Sequence, residues 1–365
     1  MRRPTPPKAT VVVKIGSSSL TLGKPGLDLD ALRRVVGHVA TLRRRGHPGV
    51  LVTSAAVAAG LPALGVTSRP SDVPGLQAAA AVGQSRLMQA YTEAFDQHDV
   101  TVGQILLSRN VLADRDQYLH ARQAFERLLE LGVVPIVNEN DTVAIEELRL
   151  GDNDRLAAIV GHLVNAGLLL LLTDTSGLFS ADPRTDEGAT LLRAIEHNDA
   201  ILDGLTRGTS GPLGSGGVST KIAAARMAAW SGIPTVIAPA DAENVALEAV
   251  EGDEVGTWIE PRSQRLPARK LWIAFGQPSE GRIVIDAGAR TAITSGGSSL
   301  LPVGVTAVEG DFAAGAAAEV AGPDGHLVAK GVSRFDAESL RRRAGHRSES
   351  GEVAIHRDDM IVLTP

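Results

Sequence analysis

The feature that most constrains this chain is a run of five leucines, Leu168–Leu172, between Gly167 and Thr173-Asp174. It falls far short of the ~20 residues a membrane-spanning helix needs. Side chains of a strand alternate between faces, so a strand that is apolar at every position must be covered on both. A similarly continuous rather than alternating apolar character recurs at Thr10–Ile15, Val50–Thr53, Thr101–Leu107, Val133–Val137 and Thr235–Ile237. Between these runs lie helical patterns. Leu32, Val35, Val36, Val39 and Leu42 follow helical spacing within Asp28–Arg45, and Gly46 closes that segment. Ala121, Phe125, Leu128 and Leu129 do the same within Gln117–Leu131, closed by Gly132. Alternating buried strands and helices predict an α/β fold, a three-layer sandwich around a mostly parallel sheet. Ligands of such sheets collect where strand carboxyl ends lead into helices.

The texture changes near residue 260. Glu260–Lys270 is rich in Pro and Arg and reads as a linker. Beyond it, short β-like pieces broken by glycines follow at Gly281–Asp286, Ser299–Val303, Val305–Val308, Glu319–Ala321, His326–Lys330 and Glu352–His356. The expected organisation is one domain over 1–260, a linker over 261–275 and a small β-rich domain over 276–365.

Composition removes several classes. The 365 residues include no cysteine, so no disulfide, thiolate metal site or Cys nucleophile exists. A reducing, cytoplasmic setting fits. Lys14 interrupts the first apolar stretch, which argues against a secretory signal. With 36 basic against 42 acidic residues, the balance argues against bulk nucleic-acid binding.

Chemistry concentrates in a few segments. After the first strand comes Lys14-Ile15-Gly16-Ser17-Ser18-Ser19, a small-residue turn with a cation, as a phosphate cradle requires. Its order is not that of a Walker loop. Gly208–Lys221 holds five glycines in fourteen residues and leads into a helical pattern, Ile222–Trp230. Lys221 in the first turn opposes the helix dipole and makes sense if an anion sits there. Two amide-rich acidic clusters follow, Asn138-Glu139-Asn140-Asp141 and Gly151-Asp152-Asn153-Asp154, the second opening a helix over Arg155–Leu163. Singly they read as turn and cap residues. Together with two lysine-bearing glycine loops they point to ligand binding. Val52-Thr53-Ser54-Ala55-Ala56 and Leu172-Thr173-Asp174 are further strand ends at which a ligand would gather. Two lysines on two loops, with a carboxylate between them, suit phosphoryl transfer, which needs positioning and charge more than covalent help.

These segments, with Ala81-Val82-Gly83-Gln84 and Gly216-Gly217-Val218-Ser219-Thr220-Lys221, resemble the amino acid kinase family, and within it the glutamate 5-kinases, across residues 10–240. The tail, with Gly297–Pro302 and His356-Arg357-Asp358-Asp359-Met360, is similar to a PUA domain. The resemblance implies the amino acid kinase fold and ATP-dependent phosphorylation of the L-glutamate side-chain carboxylate, the first step of proline synthesis. By motif, Lys14 and Lys221 would stabilise the transferring phosphoryl and Asp154 would orient them. Ser54, Asn138, Asp141, Asp152 and Asn153 would line the glutamate site. Lys14, Gly16, Ser17, Thr173, Asp174 and the loop Ser215, Gly216, Gly217, Val218, Ser219, Thr220, Lys221 would hold the nucleotide. Mg²⁺ would ride on the ATP phosphates. It also implies a homo-oligomer, dimer or tetramer, feedback by L-proline, and passage of product to the glutamyl phosphate reductase.

The family's Thr-Ser-Gly-Ala pattern carries glycine where this chain has Ala55. The Ala55 methyl is expected either to crowd the glutamate or, if that glycine serves a left-handed turn, to force the turn away from φ > 0, with a cost to substrate affinity. The stretch between His346 and His356 is also shorter than the PUA pattern. Residues 276–365 carry 9 basic and 12 acidic groups, and Arg341-Arg342-Arg343 reads as a solvated helix face rather than an RNA contact. The alternatives are another amino acid kinase, acting on acetylglutamate, aspartate or a nucleotide, and an RNA-binding accessory protein. His356-Arg357-Asp358 lacks the downstream Asn and Asp-Phe-Gly of a protein kinase.

Overall fold

The structure is a computed structural model. It describes residues 2–108, 114–143, 153–199, 201–202, 205, 217–263, 266, 268–271, 273–274, 279–347 and 351–363. The chain divides into two compact units, one of Met1–Val111 and Asp116–Arg265, the other built on Leu266–Pro365.

The first unit runs β1 (Val11–Ile15), α1 (Ser17–Thr21), α2 (Leu29–Arg44), β2 (Gly49–Val52), α3 (Ala56–Gly60), α4 (Val73–Asp96), β3 (Val102–Leu107) and α5 (Arg115–Glu130). It continues with β4 (Val134–Glu139), α6 (Asn153–Leu163), β5 (Leu168–Thr173), β6 (Ala194–Glu196), α7 (Val218–Trp230), β7 (Thr235–Pro239), α8 (Val245–Glu251) and β8 (Thr257–Glu260). The sheet order is β3-β4-β2-β1-β5-β7-β8-β6, with every pair parallel except β7 and β8. All six strands expected from the apolar runs are present, but β3 is not buried on both faces as expected: it is the edge strand, and Gln104 and Leu106 are exposed. The short β6 and β8 extend one edge, and neither run is long or apolar enough to announce itself. The longest described helix, α4, was also not expected, because its buried bulky residues, Leu76, Leu87, Tyr91 and Phe95, are interspersed with alanines and a glycine.

Every residue of β1 and β5 is buried, as two covered faces require. Val11, Val13 and Ile15 join the core formed with α2, α4 and α8. Val12 and Lys14 point the other way, toward the face where α6 and α7 pack. The chain leaves β1 for β2 on one side and returns as β5 on the other. The carboxyl end of β1 is therefore a switch point of the sheet.

Two local features shape the turn after β2. A Cβ on Gly83 would lie 1.7 Å from the Ala56 carbonyl oxygen, and one on Gly60 2.0 Å from that of Ala79. Both glycines are thus required for α3 and α4 to touch along their backbones. Ala55 sits at φ 78°, ψ 11°. The expectation that alanine would push this turn out of the left-handed region is incorrect. The turn keeps its conformation, and Ala55 carries the steric cost of roughly 1–2 kcal/mol.

The second unit comprises α9 (Ala268–Leu271), β9 (Gly281–Ile285), α10 (Ala287–Thr294), β10 (Val305–Gly310), β11 (Ala317–Ala321), β12 (Leu327–Val332), α11 (Ala337–Arg343) and β13 (Met360–Val362). Its sheet runs β10-β9-β11-β12-β13, with only β9 and β11 parallel. Ser299–Val303 and Glu352–His356, expected as strands, meet in a single bridge between Leu300 and Ile355. The closing strand is β13. The basic run on α11 is engaged locally. Arg341 donates to the carbonyls of Val308 and Gly310, Arg342 pairs with Glu338, and Arg343 lies 4.7 Å over the Phe335 ring. Among the described residues no helix is long and apolar enough to cross a membrane.

Two outcomes follow from buried groups in the first unit. His38 on α2 is buried, and its Nε2 has no hydrogen-bond partner among the described residues. Burial, assisted by Arg34, lowers its pKa to about 4. The unfolded chain takes up this proton near pH 6.5 and the folded chain only near 4, so stability falls as pH drops through that window, by up to about 3 kcal/mol. Urea unfolding between pH 7.5 and 4.5 should show this slope, and His38→Gln should flatten it. An unchanged slope in the variant contradicts the assignment. Ala55→Gly should raise the unfolding free energy by about 1 kcal/mol, since glycine adopts this turn without strain. A destabilised variant would show that the turn is not strained.

Candidate active site

Lys14 ends β1, Thr53 and Ser54 follow β2, Asn138 and Glu139 end β4, and Thr173 ends β5. These strands are parallel, so one edge of the sheet carries all of them. Helix α6 starts with Asn153 and Asp154 above that edge, and α7 brings Lys221.

Asp154 is fully buried and holds both lysines. Its Oδ1 lies 2.5 Å from Lys14 Nζ, and its Oδ2 lies 3.4 Å from Lys221 Nζ and accepts from Thr220 Oγ1 at 2.7 Å. The N-cap of α7 is Gly217, which offers no side-chain cap; Thr220 instead donates to Asp154 and to the Gly217 carbonyl. The anion that the sequence demanded beside Lys221 is therefore the chain's own carboxylate. Burial, the largest single influence, opposes ionisation of Asp154. Lys14, Lys221 and the hydrogen bonds from Lys14 and Thr220 outweigh it and hold the carboxyl below its ordinary range. Asp154 is thus a fixed negative charge at neutral pH, suited to positioning rather than proton transfer. Two ammonium groups against one carboxylate leave a positive excess, which a buried site can offset by binding an anion.

The neighbouring residue begins a second constellation. Asn153 Nδ2 donates to the Thr53 carbonyl at 2.6 Å and to Asn138 Oδ1 at 2.8 Å, with Ser54 Oγ at 3.0 Å. Asn138 Oδ1 also accepts from the Glu139 backbone N–H at 2.9 Å, and its Nδ2 donates to Gln84 Oε1 at 2.9 Å. Thr53 Oγ1 lies 2.7 Å from the Tyr91 hydroxyl, which burial keeps protonated. Backbone groups fix both amide orientations, because Thr53 O can only accept and Glu139 N–H can only donate.

The structure thus joins Lys14, Asp154, Thr220 and Lys221 in one cluster and Ser54, Asn138 and Asn153 in another, linked by the Asn153–Asp154 peptide. Asp141 lies half-buried in the turn after β4. Gly16 caps the short α1, and a Cβ there would sit 3.4 Å from Lys14 Nζ; Ser17 is exposed. Thr173 is buried and donates to the exposed Asp174 at 3.1 Å. Val218 and Ser219 are half-buried at the start of α7. Asp152, Ser215 and Gly216 lie outside the described residues. Thr53, Gln84 and Tyr91 were not among the residues expected at the site. Gly83-Gln84, a glycine demanding backbone contact beside a polar side chain, was the available signal for one of them.

Comparison with known proteins agrees with this architecture. The pattern of the amino acid kinase family matches residues 9–239, and that of the PUA domain matches residues 281–352. Full-length relatives include the glutamate 5-kinases of Pelobacter propionicus, 43% identical over 97% of both chains, and Frankia casuarinae, 48% identical over 97% of both. The glutamate 5-kinase of Nitrosococcus oceani is 45% identical over 96% of both chains. With the lysine–aspartate cluster at the switch point and the amide cluster beside it, the chain belongs to the amino acid kinase family, in its glutamate 5-kinase branch with a PUA domain.

Proposed function

We propose that this enzyme transfers the γ-phosphoryl group of ATP to the side-chain carboxylate of L-glutamate, forming L-glutamyl 5-phosphate and ADP. The observation that carries the reading is the pairing of consecutive residues: Asn153 anchors an amide cluster suited to a zwitterion, and Asp154 clamps two cations suited to a phosphoryl group. The attacking oxygen forms its bond to phosphorus as the bond to the bridging oxygen breaks. The acceptor carboxylate is already ionised at neutral pH, so no general base is needed. Lys14 and Lys221 offset charge on the transferring group, and Asp154 holds both in place.

Ser54, Asn138, Asn153 and Asp141 hold the acceptor, the acidic Asp141 and Asn153 Oδ1 suiting a free ammonium. N-acetylglutamate offers no such group. Gly16 and Ser17 approach the phosphates, while Thr173, Asp174 and Gly217–Lys221 hold the nucleotide; Asp152, Ser215 and Gly216 take corresponding places by motif. Asp154, already engaged by both lysines, would leave Mg²⁺ to enter with the nucleotide, where it would supply neutralisation of phosphate charge. L-Proline, a smaller zwitterion, suits the same amide cluster as a feedback inhibitor. We further place the enzyme in the cytoplasm as a homo-oligomer, handing its labile acyl phosphate to the glutamyl phosphate reductase.

Trapping the product as a hydroxamate tests the reading. Turnover should require L-glutamate, and an equal rate with N-acetylglutamate or aspartate overturns the substrate. Lys14→Ala and Lys221→Ala should each lower kcat by about 10²–10³. Wild-type turnover in both variants overturns the mechanism. Asp154→Asn should also lower kcat while leaving the KM for glutamate within about threefold.

A further inference from the structure

The amide cluster leaves two buried polar atoms without a hydrogen-bond partner among the described residues, Asn153 Oδ1 and Gln84 Nε2. Neither can be explained by turning an amide over. Asn153 Nδ2 is held by the Thr53 carbonyl, so its oxygen must face the other way. Asn138 Oδ1 is held by the Glu139 N–H, so Asn138 Nδ2 must donate and Gln84 must present Oε1 to it. A buried donor left unmade costs about 1–3 kcal/mol, and few survive in native proteins without a purpose.

One orphan is an acceptor and the other a donor, at opposite ends of the chain Asn153–Asn138–Gln84. That pattern complements an α-amino acid, whose ammonium donates and whose α-carboxylate accepts. The site's two lysines cannot serve the α-carboxylate while Asp154 holds them for the phosphoryl group. We propose that Gln84, carried on α4, is a substrate-binding residue: its Oε1 orients Asn138, and its Nε2 donates to the α-carboxylate of the acceptor. The inference rests on the glutamate reading above and adds to it the group that recognises the end of the substrate remote from the chemistry. The backbone contact at Gly83 explains how α4 delivers this side chain.

The test uses the full chain with two acceptors, L-glutamate and its α-amide, whose side-chain carboxylate remains free. Gln84→Glu is nearly isosteric and keeps an oxygen for Asn138 Nδ2, but replaces the donor with a negative charge. It should raise the KM for glutamate at least 10-fold, with kcat and the KM for ATP within about threefold. The amide group can donate to Glu where the carboxylate is repelled, so the kcat/KM preference for glutamate over the α-amide should fall at least 10-fold. Gln84→Met, which removes the donor without adding charge, should also erode that preference and serves if the first variant does not fold. A folded variant that keeps the wild-type preference, including one that loses both substrates equally, overturns the proposal and leaves Gln84 a structural residue. Absence of glutamate-dependent turnover in the wild type would instead overturn the glutamate reading itself.

Discussion

The carboxylate of Asp154 between two lysines is the interaction on which the site depends. Without the carboxylate, two buried ammonium groups would face each other uncompensated, and without both lysines a buried carboxylate would stand unpaired. Lys14 comes from the central strand, Asp154 from the start of α6 and Lys221 from the start of α7, so the cluster also ties three elements together. Its negative member lies in the first turn of a helix, where the dipole favours it, and one lysine lies in the first turn of another, where the dipole does not. The misplaced lysine is tolerated because the well-placed aspartate reaches it.

The sheet explains why the two halves of the site are neighbours. At the switch point the chain departs on both sides of β1, and helices leave room above its carboxyl end. Helix α6 begins in that space. Its first two residues look in different directions, Asn153 toward the strands β2 and β4 and Asp154 toward the cations. The amide cluster and the lysine pair are thus fixed by a single helix start. That arrangement gives the orientation on which a reaction with little covalent assistance depends.

Much of this was legible in the sequence because burial on both faces leaves a plain signature. All six apolar runs became strands, five of them buried, and Lys14, Asn138, Asn153, Asp154 and Lys221 meet at one end of the sheet. What escaped notice has physical reasons. Helix α4 spreads its buried bulky residues, Leu76, Leu87, Tyr91 and Phe95, among alanines and a glycine, which blurs the periodic contrast. Strands β6, β8 and β13 are three or four residues long, too short for any pattern to rise above chance. Asp154 was legible as the partner of both lysines only through the family resemblance, since no local pattern pairs it with Lys221, 67 positions away. Gln84 and Asn138 stand 54 positions apart, and Thr53 and Tyr91 38. No local rule links residues at such distances. Ala55 shows the converse failure: the residue type argued against a left-handed turn, and the surrounding packing imposed one.

The backbone contact between α3 and α4 has a mechanical meaning. With no side chain between Gly83 and Ala56, or between Gly60 and Ala79, the two helices lack the compressible layer that lets packed helices slide past one another. The turn bearing Ser54 leads directly into α3, so it travels with α4. Helix α4 is 24 residues long, a rod of about 36 Å. Ser54, at the entry to α3, and Gln84, on α4, therefore belong to one backbone-packed pair of helices, whereas Lys14 belongs to the sheet.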